Sequence, residues 1–336
     1  MRCLCTHANV GAVLLLSLGC EGFNRRQLAD HIRSSGRPSH TIIIQQAGGT
    51  RRSVSAGIEV IVEMLEQLKA TPRADMRINE LIIGTICGGS DATSGITANP
   101  AVGWVFDRLA EAGGRTIFEE TGELVGLEHL ISVRADNEQL AAALGKSIEK
   151  AALYYTLMGH GSFAPGNADG GLSTIEEKSM GAYCKSGTSK ISGLIKPGDR
   201  PEKSGLYLLD IVPDGEPRFG FPNINDNAEI ADLMACGAHL ILFTTGRGSV
   251  VGSPISPVIK ICANPDTYER MKEDMDINAG SILRGESTIE DIGASILRLI
   301  GEVAAGIPTC SELLGHREFV LSYKRFAPSG PACLPL

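Results

Sequence analysis

Only one tryptophan stands in this chain, and aromatic residues of all kinds make up 5% of it. So few flat apolar rings argue against a base-stacking nucleic-acid module. A basic block is missing as well: the formal net charge is −8, the wrong sign for holding a phosphate backbone. No apolar run reaches the roughly 18 residues of a membrane span. The run Val10 to Leu18 in "VGAVLLLSL" follows a polar segment and ends without a good cleavage site, so a buried parallel strand explains it better than a secretory signal. The nine cysteines contain no CxxC pair, and their odd number and scatter exclude a regular disulfide framework. A reducing cytoplasm is the expected compartment, with most cysteines acting as small buried hydrophobes. GxxxxGK[ST], GxGxxG and HExxH are absent too, which removes P-loop, dinucleotide-binding and zincin readings. Neither nucleic acid nor membrane is expected as a partner, and a small soluble substrate is.

What the chain does have is glycine, 40 residues in 336. These cluster in "ICGGSD", "HGSFAPGNADGG" and "TTGRGSVVG", where backbone must pass close to ligand or other backbone. Between them, apolar runs alternate with helical spacing. Strands are expected at 12–18, 40–46, 80–86, 115–120, 205–212, 238–245 and 257–264, and helices at 21–34, 53–70, 101–112, 136–158, 226–236, 267–275 and 288–305. That alternation predicts an α/β fold, a Rossmann-like parallel sheet flanked by helices, with ligands beyond the carboxyl ends of the strands. Residues 159–204 break the rhythm as a polar, glycine-rich insert. A loop of that length is functional or merely solvated; "STIEEKSMG" within it can form a helix capped by Ser173.

The chemistry-bearing residues fall at the strand ends. "ICGGSDATSGITANP" joins a strand to a helix with far more small, polar material than a connection needs. Its amides and hydroxyls (Ser90, Asp91, Thr97, Asn99) suit an anionic ligand at a helix start, where Cys87 would gain thiolate character. The plainer reading is a buried cysteine and loop caps. "LGCEG" repeats the arrangement at Cys20 and Glu21, and "FEETGE" brings Glu119, Glu120 and Glu123 to another strand end. Of the adjacent pair 119 and 120, only one side chain is expected to reach the cleft. Thiolate and carboxylate together suit iron or zinc. "FTTGRGS" adds Thr244, Thr245 and Arg247, and "EEKSMGAYCKSG" adds Lys178, Lys185 and Ser186, all able to meet an acid substrate.

Taken together, "CGGSDATSGITANPAVG", "PGNADGGLSTIEEKSMG", "KSGTS", "FTTGRG", "PVIKICAN" and "DINAG" resemble one family over nearly the whole chain: the altronate and galactarate dehydratases, with the large subunits of (2R)-sulfolactate sulfo-lyase. "FGFPNINDNAEIADLMACGAH", "LGHREF" and "GPACLP" favour the sulfo-lyase branch. The resemblance implies one catalytic domain over 1–336, lacking the family's N-terminal β-clip domain and a segment with an Arg-Asn-His motif. It implies metal-dependent β-elimination from a 2-hydroxy acid, (2R)-3-sulfolactate giving pyruvate and sulfite. The alternatives are a sugar-acid dehydratase and a truncated, non-catalytic partner subunit. Within that chemistry we assign Cys20, Cys87 and Glu120 to a divalent metal, Fe2+ with Mn2+ as the alternative. Cys87 and the pair Glu177 and Lys178 are the catalytic candidates, the latter two for proton transfer. Ser90, Asp91, Thr97, Asn99, Lys185, Ser186, Thr244, Thr245 and Arg247 are the candidates for substrate binding. Expected partners are a small acidic substrate, a small β-clip subunit and further copies of the chain.

Overall fold

Every residue of Ile82–Cys87 and of Leu240–Thr245 is buried, as strands covered by helices on both faces must be. The structure is a computed structural model and describes residues 1–159, 163–214 and 224–321. The chain divides into two compact units, with the boundary in sequence between Met76 and Arg77. The motifs "HGSFAPGN", "FGFPNIND" and "GPACLP" lie partly or wholly outside the described residues.

In the first unit, β1 (Val13–Ser17) pairs in parallel with β2 (Ser39–Ile43), in register from Val13 opposite Ser39. Helices α1 (Arg25–Ser34) and α2 (Thr50–Lys69) accompany this sheet of two strands. The expected burial of the first strand is corrected here. It belongs to its own small sheet, and Leu16 and Leu18 are 63% and 51% exposed. Apolarity alone could not distinguish a central strand from one in a two-stranded ribbon.

The second unit holds a sheet of seven parallel strands: β3 (Ile82–Cys87), β4 (Arg115–Glu119), β5 (Ile191–Ile195), β6 (Gly205–Leu209), β7 (Leu240–Thr245), β8 (Val258–Cys262) and β9 (Ile277–Asn278). Their spatial order is β5-β6-β4-β3-β7-β8-β9. From β3 the chain winds outward through β4, then returns to β7 and winds the other way. The reversal lies between β3 and β7, and crevices at such points open beyond the carboxyl ends. Helices α3 (Ala98–Glu111), α4 (Glu138–Met158), α5 (Ile175–Cys184), α6 (Asp226–Ala235) and α7 (Ile289–Ala304) complete the unit.

Alternation along β3 separates the two faces. Ile83 joins Val102, Val105 and Phe106 of α3 and Ile296 and Ile300 of α7 in the main apolar core. Gly84 points the other way, where a Cβ would lie 3.0 Å from Leu233 of α6. Most of the expected elements form within a few residues of their predicted limits. The insert is more regular than its composition suggested, since it contains α5 and β5. The N-cap of α5 is Thr174, whose hydroxyl accepts from the Glu177 amide at 3.2 Å. Ser173 instead donates to the Glu177 carboxylate. The helix expected at 267–275 spans Pro265–Arg270.

Asp232 of α6 gives this unit a measurable pH response. Burial lifts its carboxyl from 3.8 to about 7. The folded state therefore keeps this proton to higher pH than the unfolded chain does, and stability falls as pH rises through that window. Between about pH 4 and pH 7 the loss should be on the order of 2–4 kcal/mol. Asp232→Asn should flatten the curve and unfold later than the parent at pH near 8; equal pH slopes for both proteins in urea titrations would refute this.

Candidate active site

Two strand ends and one helix build the site. Cys87 closes β3, and Glu120 and Glu123 follow β4, with Glu123 in a short turn at Thr121–Leu124. Helix α5 is pressed against α3 so tightly that a Cβ at Gly103 would lie 2.1 Å from the carbonyl oxygen of Cys184. This close approach brings Lys178 and Lys185, from α5 and its C-terminal cap, onto the carboxylates.

The Cys87 amide donates to Glu120 Oε1 at 2.6 Å, and the same oxygen takes the ammonium of Lys185. Lys178 Nζ stands 2.5 Å from Glu123 Oε1. The Cys87 thiol lies 3.3 Å from Glu123 Oε2 and 3.1 Å from Ser90 Oγ. One buried ion pair and one partly buried pair thus flank one buried thiol. Burial pushes the thiol well above its ordinary range, and Glu120 and Glu123 push it further. Burial also lifts Glu120 to about 7 against the pull of Lys185. Glu123 would rise by burial too, but Lys178 and Lys185 hold it below its usual value. Both ammonium groups would be lowered by burial, and their anionic neighbours raise them instead.

This corrects the expectation for Cys87. The thiol is not at a helix N-terminus, because α3 begins only at Ala98, and its surroundings favour the protonated form.

One ligand atom each from Cys87, Glu120 and Glu123 falls within 4.8 Å of the others, so the three can hold a divalent metal. The donor chemistry fits: one thiol and two carboxylates form a mixed soft and hard set, although each carboxylate also holds a lysine through Oε1. Cys20 belongs to the other unit, just past β1, where Gln45 Nε2 donates to its sulfur at 3.3 Å.

The remaining candidates separate into two groups. Ser90, Lys178 and Arg247 line a cavity of about 500 Å³ together with Cys87, Glu120 and Glu123. Arg247 is exposed, and its guanidinium donates to the Gly166 carbonyl. Asn99 lines an adjoining space with Glu177, donating to the Gly181 carbonyl at 2.9 Å while its own Oδ1 is buried without a partner. Other side chains are engaged in shaping loops. Asp91 Oδ1 accepts from the Thr93 amide and hydroxyl and from Ser94, and Oδ2 accepts from Asn264. Thr97 donates to the carbonyls of Thr93 and Ala263. Ser186 accepts from Arg134 at 2.7 Å and Thr245 from the Gly248 amide at 3.0 Å. Thr244 is fully buried. Glu177 is exposed, and Ser173 donates to it twice and lowers its pKa.

Sequence reasoning placed one glutamate of the adjacent pair in the cleft, yet both line it. Glu119 is 1% exposed, and neither carboxylate oxygen has a hydrogen-bond partner. Burial and then Glu229 raise its pKa strongly. Asp226 and Glu229 of α6 line the same cavity. They were missed because "NDNAEIADL" reads as an ordinary acidic helix start, and only the sheet's winding delivers α6 to this crevice.

Comparison with known proteins follows the two units. The profile described as D-galactarate/Altronate dehydratase, C-terminal, matches residues 78–326, and that of D-galactarate dehydratase/Altronate hydrolase, second domain, matches residues 1–69. The (2R)-sulfolactate sulfo-lyase subunit beta of Chromohalobacter salexigens is 33% identical over 325 residues, covering 94% of this chain and 79% of the relative. Galactarate dehydratase (L-threo-forming) of Escherichia coli is 34% identical over 88% of this chain, and altronate dehydratase of Bacillus subtilis 32% over 93%. The chain spans 56% and 60% of the length of these two dehydratases. No described helix is long and apolar enough to cross a membrane. With both units matched and a third of the residues shared, the chain belongs to the D-galactarate/altronate dehydratase family of lyases.

Proposed function

We propose that the chain catalyses β-elimination from a small 2-hydroxy acid, with (2R)-3-sulfolactate as substrate and pyruvate and sulfite as products. The observation that carries the elimination is the buried thiol with two lysine-paired carboxylates at the carboxyl ends of β3 and β4. The choice of sulfolactate rests on the sulfo-lyase relative, matched over 79% of its own length against 56% and 60% for the two dehydratases.

Cys87, Glu120 and Glu123 would hold the metal, which we take to be Fe2+ with Mn2+ as the alternative. When bound, it supplies Lewis-acid stabilisation of the charge that develops on the substrate carboxylate. Lys178, paired with Glu123, is our candidate for proton transfer at C2; burial by itself favours its neutral amine. Lys178 then takes the proton from C2. The C–H electron pair forms the C2–C3 double bond, the C3–S bond breaks, and sulfite leaves with its electrons. The resulting enol becomes pyruvate. Lys185 keeps Glu120 ionised and in place. Ser90, Asn99 and Arg247 meet the acid groups of the substrate, and Glu177 fixes the start of α5 beside them. Phe163, Gly166, Asn167 and Lys178 line the cavity, which supports reading the insert 159–204 as an active-site element, and a small β-clip subunit would complete the enzyme.

A second reading, a polyhydroxy sugar acid losing water, is favoured by the acidic wall of Glu119, Asp226 and Glu229. Such carboxyls accept hydrogen bonds from hydroxyls that sulfolactate lacks. Anaerobically purified, metal-loaded protein, with and without a small subunit, should release sulfite from sulfolactate. A 2-keto sugar acid formed from galactarate or altronate, with no sulfite, would select the second reading. No turnover of any of the three would leave the partner-subunit role in its place.

Arg247→Lys tests the substrate contact separately. The exposed arginine should contribute to binding through its planar fork, so KM should rise about tenfold or more while Tm stays constant. An unchanged KM would remove Arg247 from the site.

A further inference from the structure

Glu120 and Glu123 are joined by a turn, and what holds that turn also holds the two carboxylates. The turn Thr121–Leu124 is pinned at both ends. The Thr121 hydroxyl donates to the Leu209 carbonyl at 3.0 Å, and Leu124 is fully buried in the main core. Within it, the Glu123 amide donates to the Glu120 carbonyl at 2.8 Å. An aromatic ring covers the middle. A Cβ at Gly122 would lie 2.8 Å from the hydroxyl oxygen and 2.9 Å from Cζ of Tyr155, and closer still to Cε2. Glycine is thus what lets the ring press on the backbone of the turn.

Tyr155 is carried by the face of α4 that the core already anchors. Leu144, Ile148 and Ala151 are fully buried, and Tyr155 follows them at helical spacings of four, three and four. Tyr154 meets the ring edge-on, with centroids 5.3 Å apart and 80° between the planes, and itself packs with Ala151 and Val212. The braced ring lines both the site cavity and a neighbouring space of about 810 Å³. Two carboxylates brought within 4.8 Å of each other and of a thiol repel one another as they ionise. A packed ring restrains them without adding charge. We propose that Tyr155 is a positioning residue for the metal: by pressing on Gly122 it fixes how the Glu120 and Glu123 carboxylates converge. The inference rests on the assignment of Cys87, Glu120 and Glu123 to the metal, and not on the choice of substrate.

Calorimetric titration of Mn2+ into the metal-free full chain reads this without turnover. Tyr155→Ala should raise the dissociation constant about 10–100-fold, the usual cost of losing a group that orients metal ligands. Tyr155→Phe keeps the ring and should stay close to the parent. Gly122→Ala should weaken binding in the parent but add little in Tyr155→Ala, because the two residues act through one contact. Should Tyr155→Ala not fold, Tyr155→Leu reads the same constant. A merely structural ring would lower Tm and leave Mn2+ affinity unchanged, which would overturn the proposal. A phenylalanine as damaging as the alanine would place the effect on the hydroxyl and overturn the packing role. If the parent binds no Mn2+, or Glu123→Gln binds it equally, the metal assignment falls and this inference with it.

Discussion

Lys185→Met should lower stability by about 3–5 kcal/mol, the cost of leaving a buried carboxylate without its counterion. The side chains of Lys185 and Glu120 are 1% and 5% exposed, so water cannot replace the ammonium. Glu120 is already lifted to about 7 by burial, and without Lys185 it must rise further. The folded mutant then holds the Glu120 proton more tightly than the unfolded chain does. Its deficit is small near pH 5 and grows as pH rises through neutrality. Urea unfolding at about pH 5.5 and about pH 8 reads both arms. Adding Glu120→Gln should return most of the stability at the higher pH, since the uncompensated charge is gone. It should not return turnover if Glu120 is the metal ligand proposed above. A single mutant that loses less than about 1 kcal/mol at pH 8, the worth of an exposed pair, would show that the pair is hydrated.

The second large effect belongs to Lys178. Lys178→Arg preserves the ion pair with Glu123 but cannot give up its proton near neutrality. If Lys178 moves the C2 proton, kcat should fall by about 10²–10⁴, with KM and metal content close to the parent's. Lys178→Met removes the pair as well, and should add a stability loss that the arginine variant lacks. Rapid deuterium exchange at C2 without product formation separates proton removal from departure of the leaving group. That exchange should vanish in Lys178→Arg. Exchange at the parent rate would move the base elsewhere, with Glu120 the group best matched to neutral pH.

Much of this was legible in the chain itself. The runs "ELIIGTI" and "AHLILFTT" are apolar at every step, so they had to be covered on both faces, and helical spacing between such runs dictates a parallel sheet. With the sheet parallel, "CGGSD", "FEETGE" and "TTGRG" had to gather at its carboxyl edge. Local composition therefore decided the fold class and the edge that carries the site. It did not decide strand order. That β3 lies between β4 and β7, and that the winding reverses there, depends on long-range packing that no window of sequence contains. For the same reason "VGAVLLLSL" was placed in the wrong sheet: one apolar strand resembles another until its partners are known.

Partnering also decided the chemistry of individual groups. Cys87 looked like an activated thiol from its loop, yet its pKa is raised by burial and by two carboxylates from another strand end. Glu177 and Lys178 are neighbours in sequence, but the rotation of about 100° per helical residue leaves the first exposed at the helix start and buries the second on Glu123. Glu119, Asp226 and Glu229 share a cavity only because β4 ends where α6 passes. Sequence determines which groups are available and on which edge they emerge. Burial and charge across non-adjacent segments, which exist only in the folded chain, determine whether each group is a ligand, a base or a strut.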